Sequence, residues 1–275
     1  MTADPFAERL EREGLVVVDG EAFVLTSDEQ ALLGADLGDG KAKNISLAPG
    51  AKVQGVKAGA AEEAQLKSLM ARYADWARDV LVRLAPSYAA HLEMGRTSFR
   101  PREVIAPPDS PRKDDKRLHV DAFASRPTGG KRILRVFCNI NPAGEDRIWQ
   151  VGESFEDYAW RWVAKGRVPL PGEALLLQAF GVTRGRRTRY DALMLQLHDM
   201  AKLDRAYQAG APRTEIRFPP GAVWIVYTDS TAHAAMSGRY ALEQTFYLPL
   251  RAMAAPEASP ARILERITGK KLVRA

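Results

Sequence analysis

One cysteine, four histidines and no long apolar run are what this 275-residue chain has little of. Cys138 alone leaves no partner for an internal disulfide, which removes the small secreted scaffolds stapled by such bonds and fits a reducing cytoplasm. It lies in the apolar stretch Ile133 to Ile140, so a buried inert thiol is expected rather than a nucleophile. No stretch approaches the ~20 apolar residues of a membrane span. Met1 to Glu13 is charged and has no signal-peptide core. Aromatic residues are only 8% of the chain and are not interleaved with its basic clusters, which counts against a nucleic-acid partner.

What remains is an ordinary globular composition, 46% hydrophobic and 27% charged, at a length that suits one large domain or two small ones. The net charge is +6. Its plain reading is solubility; its sharper reading is an anionic partner. Basic residues gather in two places, Arg112-Lys113-Asp114-Asp115-Lys116-Arg117 and Arg184-Gly185-Arg186-Arg187-Thr188-Arg189.

Hydrophobic periodicity divides the chain into a leader (1–95), a strand-rich core (96–250) and a C-terminal helix (251–275). The leader carries short strands at Val16-Val17-Val18 and Phe23-Val24-Leu25, a capped helix from Ser27 to Leu33, a turn-rich stretch over 36–57, and a long amphipathic helix from Ala60 to Leu84. One or two helical turns are expected between Ser87 and Glu93. In the core, strands are predicted at Thr97 to Ile105, Leu118 to Ala124, Arg132 to Ile140, Arg147 to Val151, Thr214 to Phe218, Ala222 to Tyr227 and Tyr240 to Leu248. A loop is expected over 106–111. Helices are predicted at Glu156 to Ala164, at Arg189 to Gln208 in an insertion near 185–212, and at Ala261 to Ile267. This pattern predicts an α+β protein with a double-stranded β-helix, the cupin-like jelly roll, and flanking helices.

The chemistry-bearing motif is His119-Val120-Asp121, answered downstream by His233 in Asp229-Ser230-Thr231-Ala232-His233. On a strand, residues i and i+2 share a face, so His119 and Asp121 can reach one metal while Val120 turns away. Two imidazoles and a carboxylate form the facial triad that suits non-heme Fe(II) with open positions. The spacing H-x-D also arises by chance, and a hydrogen-bonded structural histidine is the plainer alternative. Arg100, Arg135 and Arg147 fall on predicted strands near the pair. A guanidinium fork matches a carboxylate, such as the far end of a keto-acid cosubstrate. Alternation groups Arg135, Phe137 and Asn139 on one face and Leu134, Val136 and Cys138 on the other, which makes the Arg135 face the polar interior. An internal ion pair with a carboxylate is the alternative there.

Leu118 to Phe123, Arg132 to Pro142, Arg147 to Phe155, His233 to Gly238 and Leu242 to Pro249 together resemble the Kdo 3-hydroxylase family, over about Arg96 to Leu250. The resemblance implies an Fe(II)- and 2-oxoglutarate-dependent dioxygenase. Its reaction would be O2-dependent hydroxylation at C3 of 3-deoxy-D-manno-oct-2-ulosonic acid (Kdo), the lipid A-linked sugar of the lipopolysaccharide inner core, to give Ko. It further implies His119, Asp121 and His233 as iron ligands and Arg100, Arg135 and Arg147 as the 2-oxoglutarate-binding arginines. The partner would be a Kdo-containing lipid A or lipopolysaccharide precursor, met from the cytoplasm with only peripheral contact to the inner membrane. The two basic clusters would then have an anionic surface to face. Two rival readings stand beside this one: a 2-oxoglutarate dioxygenase with another substrate, and a non-catalytic metal-binding jelly-roll protein.

Overall fold

The computed structural model describes residues 4–34, 37–40, 42–105, 110–167, 170 and 172–273. Residues 1–3 at the charged N-terminus, 106–109 of the expected loop, and 36 and 41 of the turn-rich stretch lie outside the described residues.

Local sequence signals set most of the elements. Asp4 caps α1 (Pro5–Glu13), and the β-branched run that follows is β1 (Leu15–Val18). Thr26 and Glu29 form a capping box for α2 (Ser27–Leu32), and the short β2 (Ile45–Leu47) comes next. The long α3 (Ala60–Leu84) leads into β3 (Glu93–Arg100), and β4 (Arg132–Asn139) and β5 (Arg147–Val151) follow. Four helices are then inserted: α4 (Phe155–Val163), α5 (Glu173–Ala179), α6 (Arg189–Leu203) and α7 (Arg205–Gly210). The chain returns through β6 (Thr214–Phe218), β7 (Val223–Tyr227), β8 (His233–Ser237) and β9 (Ala241–Leu248), and closes with α8 (Pro260–Thr268).

The strands form two antiparallel sheets, one ordered β1-β7-β4-β9-β3-β2 and the other β6-β5-β8. They meet across an aromatic layer in which Trp149 and Phe218 of the small sheet pack on Phe137 and Trp224 of the large one. The outer face of the large sheet carries Leu134, Val136, Cys138 and Ile225 against Leu66, Met70, Tyr73 and Ala77 of α3. Tyr73 secures that contact by donating its hydroxyl to the Val136 carbonyl at 3.0 Å. Burial on this face pushes the Cys138 thiol up to about 12. The outer face of the small sheet is covered by α4, α6, α7 and α8, through Tyr158, Trp162, Leu197, Tyr207 and Leu264. This is the jelly-roll architecture, an α+β fold with helices on both outer faces.

Several expectations change. Phe23 to Leu25 forms no strand; the Phe23 ring instead packs on Tyr73 and Trp76. β3 begins earlier than expected and stops at Arg100, because Pro101 has no N–H for a ladder. Arg189 to Gln208 is two helices, since the Asp204 carboxylate accepts from Tyr207 N and starts a new one. β2, α5 and β8 were not anticipated. The largest correction is at 118–124, which is not a continuous strand. His119 pairs with His233 in an isolated antiparallel bridge, while Asp121 N donates to the Thr228 carbonyl at 2.7 Å. With its two hydrogen-bonding residues tied to different partners, no ladder propagates.

Candidate metal centre and basic cleft

His119 and Asp121 lie on the segment that borders β8, and His233 opens β8 itself. The bridge is reciprocal: His119 N donates to His233 O at 3.1 Å and His233 N to His119 O at 2.8 Å. It sets the two imidazoles side by side, with ring centroids 4.7 Å apart. One ligand atom from each of His119, Asp121 and His233 lies within 4.8 Å of the others. The i, i+2 argument therefore holds although the strand does not.

The hydrogen bonds fix which nitrogen is free. Nδ1 of His119 lies 2.7 Å from the Arg117 carbonyl, and Nδ1 of His233 lies 2.8 Å from the Thr231 carbonyl. A carbonyl only accepts, so each Nδ1 carries the proton and each Nε2 keeps its lone pair. Trp149 stacks on the His233 ring at 5.1 Å and His198 packs edge-on against His119 at 5.4 Å, which restrains both rings. Protonation states agree with this. Burial lowers the pKa of both histidines, and for His119 the nearby His233 adds to it. Burial alone would raise the Asp121 carboxyl, but Arg135 and the two histidines together hold it well below the usual carboxylate range. Two neutral imidazoles and an ionised carboxylate are the forms in which these groups bind a metal. The donor set fits Fe(II) by type and number and leaves positions open.

The three arginines expected near the pair have different surroundings. Arg135 faces inward, as alternation predicted, and is paired with two carboxylates, 2.8 Å from Asp121 Oδ2 and 2.6 Å from Glu243 Oε1, while its buried Nε has no partner. Arg100 reaches the other Glu243 oxygen at 2.7 Å. Glu243 thus clamps two arginines at the edge of the centre. The sequence offered a signal for it, since Glu243 shares with Thr245 and Tyr247 the inward face of β9, where Thr245 is the register partner of Arg135 and Glu243 that of Phe137. Arg147 is 2% exposed and forms no ion pair among the described residues. Its Nη1 donates to the Gly238 carbonyl at 2.8 Å, and its buried Nε has no partner. Gly238, at φ +108°, passes so near that a Cβ there would sit 2.8 Å from Arg147 Cα. Burial, with Arg100 nearby, lowers Arg147 to about 10.

Two further groups escaped the sequence reading. Lys202 of α6 is buried, donates to the Arg112 carbonyl at 3.1 Å, and lies close enough to affect His119. Arg132 makes a bidentate pair with Asp229, at 2.8 and 3.1 Å, and also donates to Ser230 Oγ at 2.7 Å. That pair fixes the turn that delivers His233. Beside Asp121 a cleft of about 500 Å³ opens, lined by Lys43, Arg96, Arg100, Arg126 and Arg135 as well as Asp115, Asp121 and Glu243. Arg96 and Arg126 form no ion pair among the described residues, and Arg96 donates to Ser46 Oγ.

The family model for 3-deoxy-D-manno-oct-2-ulosonic acid (Kdo) hydroxylase matches residues 2–271. The chain belongs to the Kdo hydroxylase family. Its fold is that of solved Kdo hydroxylase KdoO structures, each described as a non-heme Fe(II) alphaketoglutarate dependent dioxygenase. The apo form is 43% identical with a TM-score of 0.90, covering 97% of this chain and 92% of that one. The cobalt(II) complex is 41% identical with a TM-score of 0.91, covering 100% and 97%. The complex with alphaketoglutarate and Fe(III) is 40% identical with a TM-score of 0.89, covering 99% and 96%. No curated protein sequence matches the chain.

Proposed function

We propose that this chain is an Fe(II)-, 2-oxoglutarate- and O2-dependent Kdo hydroxylase that acts at C3 of the lipid A-linked sugar and yields Ko. The observation that carries the reading is the His119, Asp121 and His233 donor set, in its metal-binding protonation states, at the foot of a basic cleft in a member of this family. Bound iron, with 2-oxoglutarate and O2, supplies the oxidising power that replaces a C–H bond by C–OH while 2-oxoglutarate leaves as succinate and CO2.

The side chains divide the remaining work. His119 and His233 present Nε2, oriented by carbonyls behind them. Asp121 completes the set, with its second oxygen held by Arg135. Arg147, buried and without a carboxylate partner, anchors the distal carboxylate of 2-oxoglutarate. Arg100, next to it and tethered by Glu243, supports that end electrostatically. Arg135, which touches both Asp121 and Glu243, serves the metal side of the cosubstrate pocket. In the cleft, Arg96 and Arg126 meet the anionic groups of the sugar lipid. Such a substrate places the protein in the cytoplasm, in peripheral contact with the inner membrane; no described helix is long and apolar enough to cross one.

The test is succinate release by the Fe(II)-loaded protein, with and without Kdo-lipid A, together with mass spectrometry of the lipid. A gain of one oxygen matched to succinate is the expected result, and His119→Ala should lose both by more than about 1000-fold, roughly 4 kcal/mol of transition-state stabilisation. Succinate without any lipid change would remove the substrate assignment and keep the oxygenase. No succinate under any condition would favour a binding protein.

A further inference from the structure

Residues 170 and 172–189 make an excursion from the jelly roll that is built unlike the rest of the surface. α5 buries none of its residues. Around it, Leu170 is 69% exposed, Leu175 53%, Leu176 59%, Phe180 79% and Val182 53%. A seven-residue helix with no fully buried side chain gains little from packing on its own protein, and large apolar residues exposed together along one segment mark a partner. The segment is held in place at both ends. On one side Arg167 N donates to Gln196 Oε1 of α6 at 2.6 Å, and Gln196 returns a bond to the Arg167 carbonyl at 3.0 Å. On the other side Arg184 N donates to Ser125 O at 2.8 Å and Arg187 Nη2 to Ala124 O at 2.6 Å. Ala124 and Ser125 line the basic cleft, so the excursion is stitched to the cleft's rim.

Charge identifies the occupant. Arg184, Arg186 and Arg189 are exposed and form no ion pair among the described residues. The other basic cluster is neutralised in part by its own fold: Arg112 pairs with Asp199 at 3.0 Å and Arg117 with Asp114 at 3.4 Å. Exposed leucines and phenylalanine beside unpaired arginines match a bilayer surface with anionic headgroups, where apolar side chains enter the acyl boundary and guanidinium groups meet phosphates.

We infer that the segment around α5, with the exposed Phe180 at the end of that helix and Arg184 to Arg189 where the segment rejoins the cleft rim, is an interfacial element that docks the protein on an anionic membrane and brings the cleft mouth to that surface. The inference rests on the lipid-linked substrate of the reading above only for its purpose; the docking itself is tested without substrate.

The experiment is sedimentation of the full-length protein with phosphatidylcholine vesicles, with and without phosphatidylglycerol and free of Kdo-lipid A. Binding is expected to the anionic vesicles and to fall with added salt. Leu176→Glu/Phe180→Glu should weaken it by about tenfold or more, and Arg186→Glu/Arg189→Glu by at least about tenfold. Near-ultraviolet circular dichroism checks that both variants are folded. A separate Phe180→Trp variant should show a blue-shifted difference emission with anionic vesicles. Unchanged binding in both double variants would overturn the inference. So would wild-type binding confined to vesicles that contain Kdo-lipid A, or a dimer in analytical ultracentrifugation that Phe180→Glu dissolves. Detergent-dispersed Kdo-lipid A separates the two claims. Leu176→Glu/Phe180→Glu should still hydroxylate it, and failure of the wild type to do so would strike the functional reading and not the docking element.

Discussion

Arg132 and Arg147 each open a strand, β4 and β5, and each is fully enclosed, yet one has a carboxylate and the other does not. Arg132 is wrapped. Asp229 accepts two hydrogen bonds from it, the Tyr227 ring lies 3.9 Å below its guanidinium, and Asp229 more than offsets the effect of burial on Arg132, which keeps the guanidinium charged. Arg147 has a single carbonyl, with Glu243, Asp115 and Glu103 acting only at longer range. Burial therefore does not distinguish a structural cation from a functional one; the partner does. A cation kept dry without a counter-charge costs stability unless something brings the charge to it. Arg147 lies within electrostatic reach of Arg100 and Glu243, which border the cleft, and a dicarboxylate cosubstrate would bring it that counter-charge.

The comparison can be broken from either side. Arg132→Ala leaves Asp229 as a buried unpaired carboxylate, so it should lower stability by about 3–5 kcal/mol, read by urea denaturation. The turn carrying Ser230 to His233 should loosen, and metal affinity should fall with it. An unchanged midpoint would mean that Arg132 and Asp229 do not hold the turn. Arg147→Met should do the reverse. It removes the desolvated charge, so the midpoint should stay or rise, while affinity for 2-oxoglutarate drops by about 100-fold, ~2.7 kcal/mol. The sign with pH follows from an Arg147 pKa lowered to about 10. A cation whose folded pKa is depressed penalises the fold below that pKa, and the penalty fades as pH rises through it. At neutral pH, 2-oxoglutarate should therefore stabilise the wild type against heat and leave Arg147→Met unmoved. An equal thermal shift in both would take the distal carboxylate away from Arg147.

The contrast also shows what the sequence could and could not reveal. The jelly roll was legible because strands such as Val223–Tyr227 carry β-branched and aromatic residues, and because α3 has an apolar stripe of the right period. That His119 and Asp121 share a side was legible because i, i+2 geometry needs only two residues facing one way, even where Leu118 to Ala124 forms no ladder. β8 was hidden: Ala234 and Ala235 give no β-propensity signal, and the strand exists because β5 pairs with it. The partners were hidden as well. Nothing local says that Arg132 meets Asp229, 97 positions away, or that Arg147 meets only the Gly238 carbonyl. Nor does the sequence show that Arg147 is enclosed, which follows from the close pass of Gly238.

Arg135 lies between these extremes and gives the smallest and most discriminating effect. It is paired like Arg132 but only half-buried, and one of its partners, Asp121, belongs to the proposed donor set. If its work is to orient that carboxylate, Arg135→Gln should weaken Co(II) binding by about tenfold, the usual range for a group behind a metal ligand. Stability should change little, because Glu243 keeps Arg100 as a partner at 2.7 Å. 2-Oxoglutarate binding, measured at saturating metal, should then be near normal. If metal affinity is intact and the 2-oxoglutarate requirement alone rises, Arg135 instead turns from Asp121 to the cosubstrate and belongs with Arg147. Isothermal titration with Co(II), then with 2-oxoglutarate on the Co(II)-loaded protein, separates the two outcomes because each titration reports on one partner of the same guanidinium.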